Sequence, residues 1–175
     1  MIISLAGYMG SGKSHIAKLL SEKINFELID LDKEIIAKNK SSIAEIFEKK
    51  GEIFFRKLER ETLEEILATR ENIVLSLGGG TPVYYNNIDV INDRSESIYL
   101  QASVSTLVHR LEANKAKRPL IANLEAEVLP EFIAKHLFER TPYYAKCKYT
   151  VSTNEREPEE VVANIIDLLD HPQVK

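Results

Sequence analysis

Gly7-Tyr8-Met9-Gly10-Ser11-Gly12-Lys13-Ser14 has the spacing G-x-x-x-x-G-K-[ST], and it lies between a short apolar run and a helical pattern, the context that motif requires. Each position has a chemical reason. Glycines let the backbone wrap a polyphosphate with its N–H groups turned inward, and a helix beginning near Lys13 adds its positive dipole end to the same pocket. Lys13 is placed to reach the β and γ phosphates, and the Ser14 hydroxyl to ligate Mg2+. The nucleotide-binding set is Gly10, Ser11, Gly12, Lys13, Ser14 and, by adjacency alone, His15. A histidine on a first helical turn is usually a solvated helix residue, so His15 receives no chemistry of its own.

Other residue types with chemical potential sit at the ends of apolar runs. Asp30-Leu31-Asp32 closes the second run; if both aspartates stay extended, their side chains point to the same side. The plain alternative is that Asp32 caps the following helix. Arg56 follows Phe54-Phe55, which are expected to face a core, and Arg140 directly precedes Thr141-Pro142, where a helix is expected to end. A planar guanidinium suits bidentate recognition of a carboxylate, although an arbitrary arginine is more often a surface ion pair. Gly78-Gly79-Gly80 allows backbone to approach a ligand where a side chain would clash.

The elements that must position these groups follow from periodicity. Ile2-Ile3-Ser4-Leu5-Ala6 reads as a strand buried on both faces, then comes a helix over about 14–23 and a strand over 26–30. Helices are expected over about 32–39 and 43–49, the latter with Ser42 and Glu45 as a capping box, and over about 52–69 after a break at Gly51. Strand 73–77 runs into the triple glycine. A helix near 85–92, strand 97–101, helix near 105–113, a basic stretch through Lys115, Lys117 and Arg118, a mostly helical 125–139, strand Tyr149–Ser152 and a closing helix from Pro158 to about 170 complete the chain. Strands alternating with helices predict a single α/β domain built on a doubly wound parallel sheet, with ligands beyond the carboxyl ends of the strands. No repeat or long linker divides it.

Composition narrows the function classes. The 175 residues are 44% hydrophobic and 29% charged, enough for one core without disulfide or structural metal. The net charge of −4, from 23 basic and 27 acidic residues, argues against a general nucleic-acid binder. No apolar run reaches the length of a membrane span, and the N-terminus lacks the layout of a signal peptide, so Met1 is expected to begin the mature protein. Cys147, the single cysteine, fits a reducing, cytoplasmic setting. A monomer is expected, because no long apolar stripe is left over.

Taken together, the phosphate loop, Asp30-Leu31-Asp32, Phe55-Arg56, Ser76-Leu77-Gly78-Gly79-Gly80, Arg118-Pro119-Leu120 and Glu139-Arg140-Thr141-Pro142-Tyr143-Tyr144 resemble the shikimate kinases over nearly the whole chain. The resemblance implies transfer of the γ-phosphoryl group of ATP to the 3-hydroxyl of shikimate, a step of aromatic amino acid biosynthesis. It also implies a P-loop fold of the nucleoside monophosphate kinase type, with a five-stranded parallel sheet, a helical substrate-binding segment at about 32–61 and a lid at about 112–124. On this basis Asp32 holds the substrate hydroxyls as base or orienting group. Arg56 and Arg140 take the carboxylate, and the amides of Gly78, Gly79 and Gly80 face the ring. Asp30 lies toward the Mg2+ shell through water. Ser76 stands where many P-loop enzymes carry an acidic residue, and its hydroxyl is assigned to the same shell. Arg118 matches the lid arginine that meets the transferring phosphoryl group, and Arg110 and Arg156 align with adenine-side residues. A gluconate or nucleoside monophosphate kinase would share the loop without a reason for Asp32, Arg56, the glycines and Arg140 to recur together. A non-catalytic ATP-binding module would not need all of these groups.

Overall fold

The structure, a computed structural model, describes residues 1–113 and 120–171. Five parallel strands, β1 (Ile2–Ala6), β2 (Glu27–Asp30), β3 (Ile73–Ser76), β4 (Glu96–Gln101) and β5 (Tyr149–Ser152), form one sheet in the order β2-β3-β1-β4-β5. All four pairings are parallel, so the carboxyl ends of the strands share one edge. The register places Asp30 beside Ser76 and Leu5 beside Ser76.

Helices cover both faces because side chains alternate along each strand. Ile2, Ala6, Ile73, Leu75 and Tyr99 enter one core cluster, and Ile3, Leu5, Val74, Ile98 and Leu100 the other. The second cluster is closed by α1 (Lys13–Ile24), through Ile16, Ala17 and Leu20, and by α7 (Pro158–Asp170), through Val161, Val162 and Ile165. On the first face pack α2 (Leu31–Asn39), α3 (Ile43–Thr69), α4 (Asn87–Arg94), α5 (Val104–Glu112) and α6 (Leu129–Tyr144). Each such fully buried aliphatic side chain contributes about 1.5–3 kcal/mol. Among the described residues no helix is long and apolar enough to cross a membrane.

α3 begins with the expected capping box of Ser42 and Glu45 and is kinked at Gly51, whose φ of 81° and ψ of 171° are non-helical. The helix over 43–49 and the helix over 52–69 are thus two segments joined at that glycine.

Three sequence expectations are corrected. β2 stops at Asp30, so Asp30 and Asp32 are not both extended: Asp30 is the N-cap of α2 and accepts from the Lys33 N–H, while Asp32 sits in the first helical turn. α6 does not end before Pro142 but runs to Tyr144 with the proline inside it. A proline costs a helix interior about 3 kcal/mol. Here the last turn is held by Tyr144, which is fully buried, stacks on Tyr99 and donates its hydroxyl to the Gly79 carbonyl at 2.6 Å. Finally, of Phe54 and Phe55 only Phe55 enters the core; Phe54 is exposed beneath the Lys50 ammonium.

Candidate active site

The loop after β1 is shaped by its glycines. Gly10 and Gly12 have φ of 81° and 96°, values that L side chains rarely adopt. Gly12 serves as the N-cap of α1 without a side-chain cap, leaving the first-turn N–H groups pointed outward as an anion site. Lys13 lies back across the loop, donating to the Gly7 carbonyl at 2.7 Å and the Tyr8 carbonyl at 3.0 Å. A cleft of about 340 Å³ opens here, lined by Met9, Gly10, Gly12, Lys13, Ser14, His15 and Arg110.

A neighbouring cleft of about 240 Å³ continues past Ser11, Gly12 and His15 to Arg110, Thr153, Arg156 and Pro158. Arg110 is fixed across it: Nη2 donates to the Thr153 carbonyl at 2.7 Å and Nη1 to the Gly10 carbonyl at 3.3 Å. Arg156 is exposed at its rim. This pair of clefts brings together every nucleotide-side residue expected from the sequence except Arg118, which lies outside the described residues.

Met9 also lines a third cleft, of about 220 Å³, on the other side of the loop. Asp32, Arg56, Gly78, Gly79, Gly80 and Arg140 meet there, with Phe47, Phe55 and Ile43 as apolar wall. The glycines are there for space, since none of the three has a positive φ. A Cβ on Gly80 would stand 2.7 Å from Arg56 Nη1, one on Gly78 would stand 3.1 Å from Asp32 Oδ1, and one on Gly79 would stand 3.4 Å from Arg140 Nη1. The triple glycine therefore seats the site's own side chains.

Charge is concentrated in this cleft. Burial first, then the neighbouring Asp30 and Glu59 carboxylates, push Asp32 up to about 6, against the opposing pull of Lys13 and Arg56. Glu59, buried to 1% exposure, accepts from Arg56 Nη1 at 2.8 Å and from the Thr81 hydroxyl at 2.7 Å. Arg56 stays charged, its guanidinium held by Glu59 against the cost of burial. Asp30 and Ser76 lie side by side at the ends of β2 and β3, and Ser76 is buried.

Sequence reasoning missed Glu59, Met9, Thr81 and the Tyr8–His136 pair. A glutamate three positions after Arg56 on one helix face was a readable signal for Glu59. Tyr8 meets His136 Nδ1 at 2.9 Å across 128 residues, which no local pattern announces. A larger hollow of about 410 Å³ between α3 and α4, edged by Glu64, Asp89, Asp93 and Arg94, shares no residue with these clefts.

A phosphate loop and an acceptor cleft meeting at one residue, on the carboxyl edge of a sheet in this strand order, is the layout of a small-molecule P-loop kinase of the nucleoside monophosphate kinase type. The family model for shikimate kinase matches residues 9–170. The shikimate kinase of Flavobacterium psychrophilum is 48% identical over 168 residues, spanning 95% of this chain and 98% of that protein. A crystal structure of shikimate kinase from Bacteroides thetaiotaomicron superposes with a TM-score of 0.91 at 34% identity, covering 97% of this chain and 98% of that one. The shikimate kinase of Acinetobacter baumannii in complex with shikimate gives 0.87 at 32% identity, with 99% and 95% covered. The chain belongs to the shikimate kinase family, and it is an ATP-dependent kinase of aromatic amino acid biosynthesis.

Proposed function

We propose that this site transfers the γ-phosphoryl group of ATP to the 3-hydroxyl of shikimate, giving shikimate 3-phosphate and ADP, through the residues assembled around Met9. The observation that carries the reading is the convergence of Asp32, Arg56, Arg140 and three glycines in one cleft contiguous with the phosphate loop. Arg56 and Arg140 take the carboxylate of the ring by charge-assisted hydrogen bonds. Asp32 receives the proton of the attacking hydroxyl as that oxygen bonds to the γ-phosphorus and the β–γ bridging bond breaks toward ADP. A carboxyl raised to about 6 is largely ionised at neutral pH yet basic enough to take that proton. Lys13 leaves the loop carbonyls for the β and γ phosphates, where its charge offsets that developing on the transferred group. Arg118, by resemblance, adds positive charge against the same group.

Magnesium is the metal this donor set suits. The described residues hold no cluster of three His, Cys, Asp or Glu side chains, and Mg2+ is typically held by one or two protein oxygens with waters and substrate phosphates. Ser14 would hold it directly and Asp30 through water, with Ser76 assigned to the same water shell. When bound it neutralises phosphate charge. The paired negative charge at Asp30 and Asp32 favours a cation at this edge.

The deciding experiment incubates the purified protein and Mg-ATP with shikimate, gluconate or a nucleoside monophosphate and follows ADP release and phosphorylated product. Shikimate alone should support turnover, and Lys13→Ala should lower kcat by about 10²-fold or more while leaving shikimate affinity near its original value. Turnover of gluconate at a comparable rate, or none with shikimate, would overturn the reading.

A further inference from the structure

Arg56 is held by more than its ion pair, and the additional contacts come from the turn that follows the triple glycine. The Arg56 Cζ lies 3.9 Å from the centroid of the Tyr84 ring and 5.1 Å from that of Phe55. Its guanidinium also rests against Gly80: the place a Cβ would occupy is 2.7, 2.8 and 3.0 Å from Nη1, Nη2 and Cζ. Gly80 and Tyr84 flank the short 3-10 turn Thr81–Val83. One tight turn thus supplies both the backbone bed and the aromatic cover of the same cation.

The edges of the guanidinium are divided as well. Nη1 is committed to Glu59 at 2.8 Å, and Nε lies 3.5 Å from Glu52 Oε1 without a hydrogen bond. That same Glu52 oxygen accepts the Tyr84 hydroxyl at 2.7 Å, which ties the ring to the start of the second segment of α3, one residue after the Gly51 kink. Among the described residues Nη2 makes no hydrogen bond, although the side chain is only 12% exposed.

We propose that Tyr84 is a positioning residue for substrate recognition, stacking on the Arg56 guanidinium so that its unpaired Nη2 edge faces the acceptor cleft and selects an acceptor bearing a carboxylate. The inference rests on the reading of Arg56 as a carboxylate ligand. The physical case is that an arginine with two carboxylate neighbours on one helix, Glu52 and Glu59, would otherwise be free to turn its plane between them. An aromatic face over the cation adds attraction normal to the plane and removes that rotation. The geometry of the ion pair alone fixes one nitrogen, while the stack fixes the plane.

Binding of shikimate and of its neutral carboxamide, measured by calorimetry on the full chain, gives an acid-to-amide affinity ratio that tests this. Tyr84→Leu and Tyr84→Ser, which remove the ring at a half-exposed position, should lower that ratio by roughly 3- to 30-fold, chiefly through loss of shikimate affinity. KM for ATP should stay within about twofold. Tyr84→Phe, which keeps the ring and loses only the Glu52 bond, should preserve the ratio. Equal losses for acid and amide would mean that Tyr84 only braces the turn and would overturn the proposal. Arg56→Ala separates the two readings. If it leaves the ratio intact, Arg56 is not the carboxylate ligand. If it collapses the ratio while both ring-deleting variants retain it, the Tyr84 assignment alone fails.

Discussion

Asp32→Asn should make the ligand-free protein more stable and nearly inactive, with a pH dependence that identifies the cause. In the folded chain burial and the nearby carboxylates raise Asp32 from 3.8 to about 6, about two pH units, worth up to about 3 kcal/mol at ~1.4 kcal/mol per unit. Between those two values the folded state retains a proton that the unfolded state has released, so stability falls as pH rises through the window. Below the unfolded value the penalty is absent; above about 6 it is fully present. Asparagine has nearly the same shape and no charge at any pH. For a domain of this size about 3 kcal/mol corresponds to a Tm gain on the order of 5–10 °C. Thermal unfolding measured in EDTA without nucleotide should therefore show Asp32→Asn melting well above wild type at about pH 8, with the gap shrinking toward about pH 4.5. The same variant should lose roughly 10²- to 10⁴-fold in kcat. Equal Tm values at the higher pH, or a gap that does not change with pH, would refute the electrostatic account of the cleft.

Gly80→Ala tests the close seat of Arg56: its φ of −89° is ordinary, so the cost comes from the 2.7 Å approach to the guanidinium. Displacing that group should raise KM for shikimate about tenfold or more while KM for ATP stays near wild type. At the phosphate loop, Tyr8→Phe and His136→Leu should each lower thermal stability by about 1–3 kcal/mol, since either leaves a polar partner without its bond. The double variant should lose less than the two single effects combined, because both polar groups are then gone; strict additivity in denaturant melts would show that the 2.9 Å contact carries no coupling.

What could be read in advance was whatever the chain writes consecutively. The phosphate loop is eight adjacent residues, and the strands announce themselves because burial on both faces demands continuous apolar runs. Gly51 marked a helix break because its backbone conformation disfavours other residues. The acceptor cleft was legible only as a set of separate candidates with a family likeness. What joins them, such as Glu59 reaching both Arg56 and Thr81 or Tyr84 lying over Arg56, depends on how α3 packs against the turn after β3, and no periodicity encodes that. The aspartate pair shows the same limit. Helix initiation at Leu31 won over strand continuation because Asp30 could cap, and this rotated Asp32 to a position that alternation along a strand does not describe.

The proline in α6 is explained by what the helix has to reach. His136, Arg140 and Tyr144 are spaced by four and lie along one stripe. The outer two meet Tyr8 in the phosphate loop and the Gly79 carbonyl beside the acceptor cleft. Arg140, between them, lines the cleft itself. An arginine stem is flexible, but its Cα is held one turn on either side by a contact to a different loop, so its origin is fixed relative to both. Ending the helix before Pro142, as local rules favour, would release Tyr144 from Gly79 and leave Arg140 anchored on one side only. Instead the helix runs on past the missing N–H, which strands only the carbonyl of Phe138, a solvent-exposed residue, and the next turn still closes with the Ala145 N–H donating to the Thr141 carbonyl. The tertiary contacts of Tyr144 hold the last turn despite the proline, and they keep Arg140 between the phosphate loop and the glycine turn.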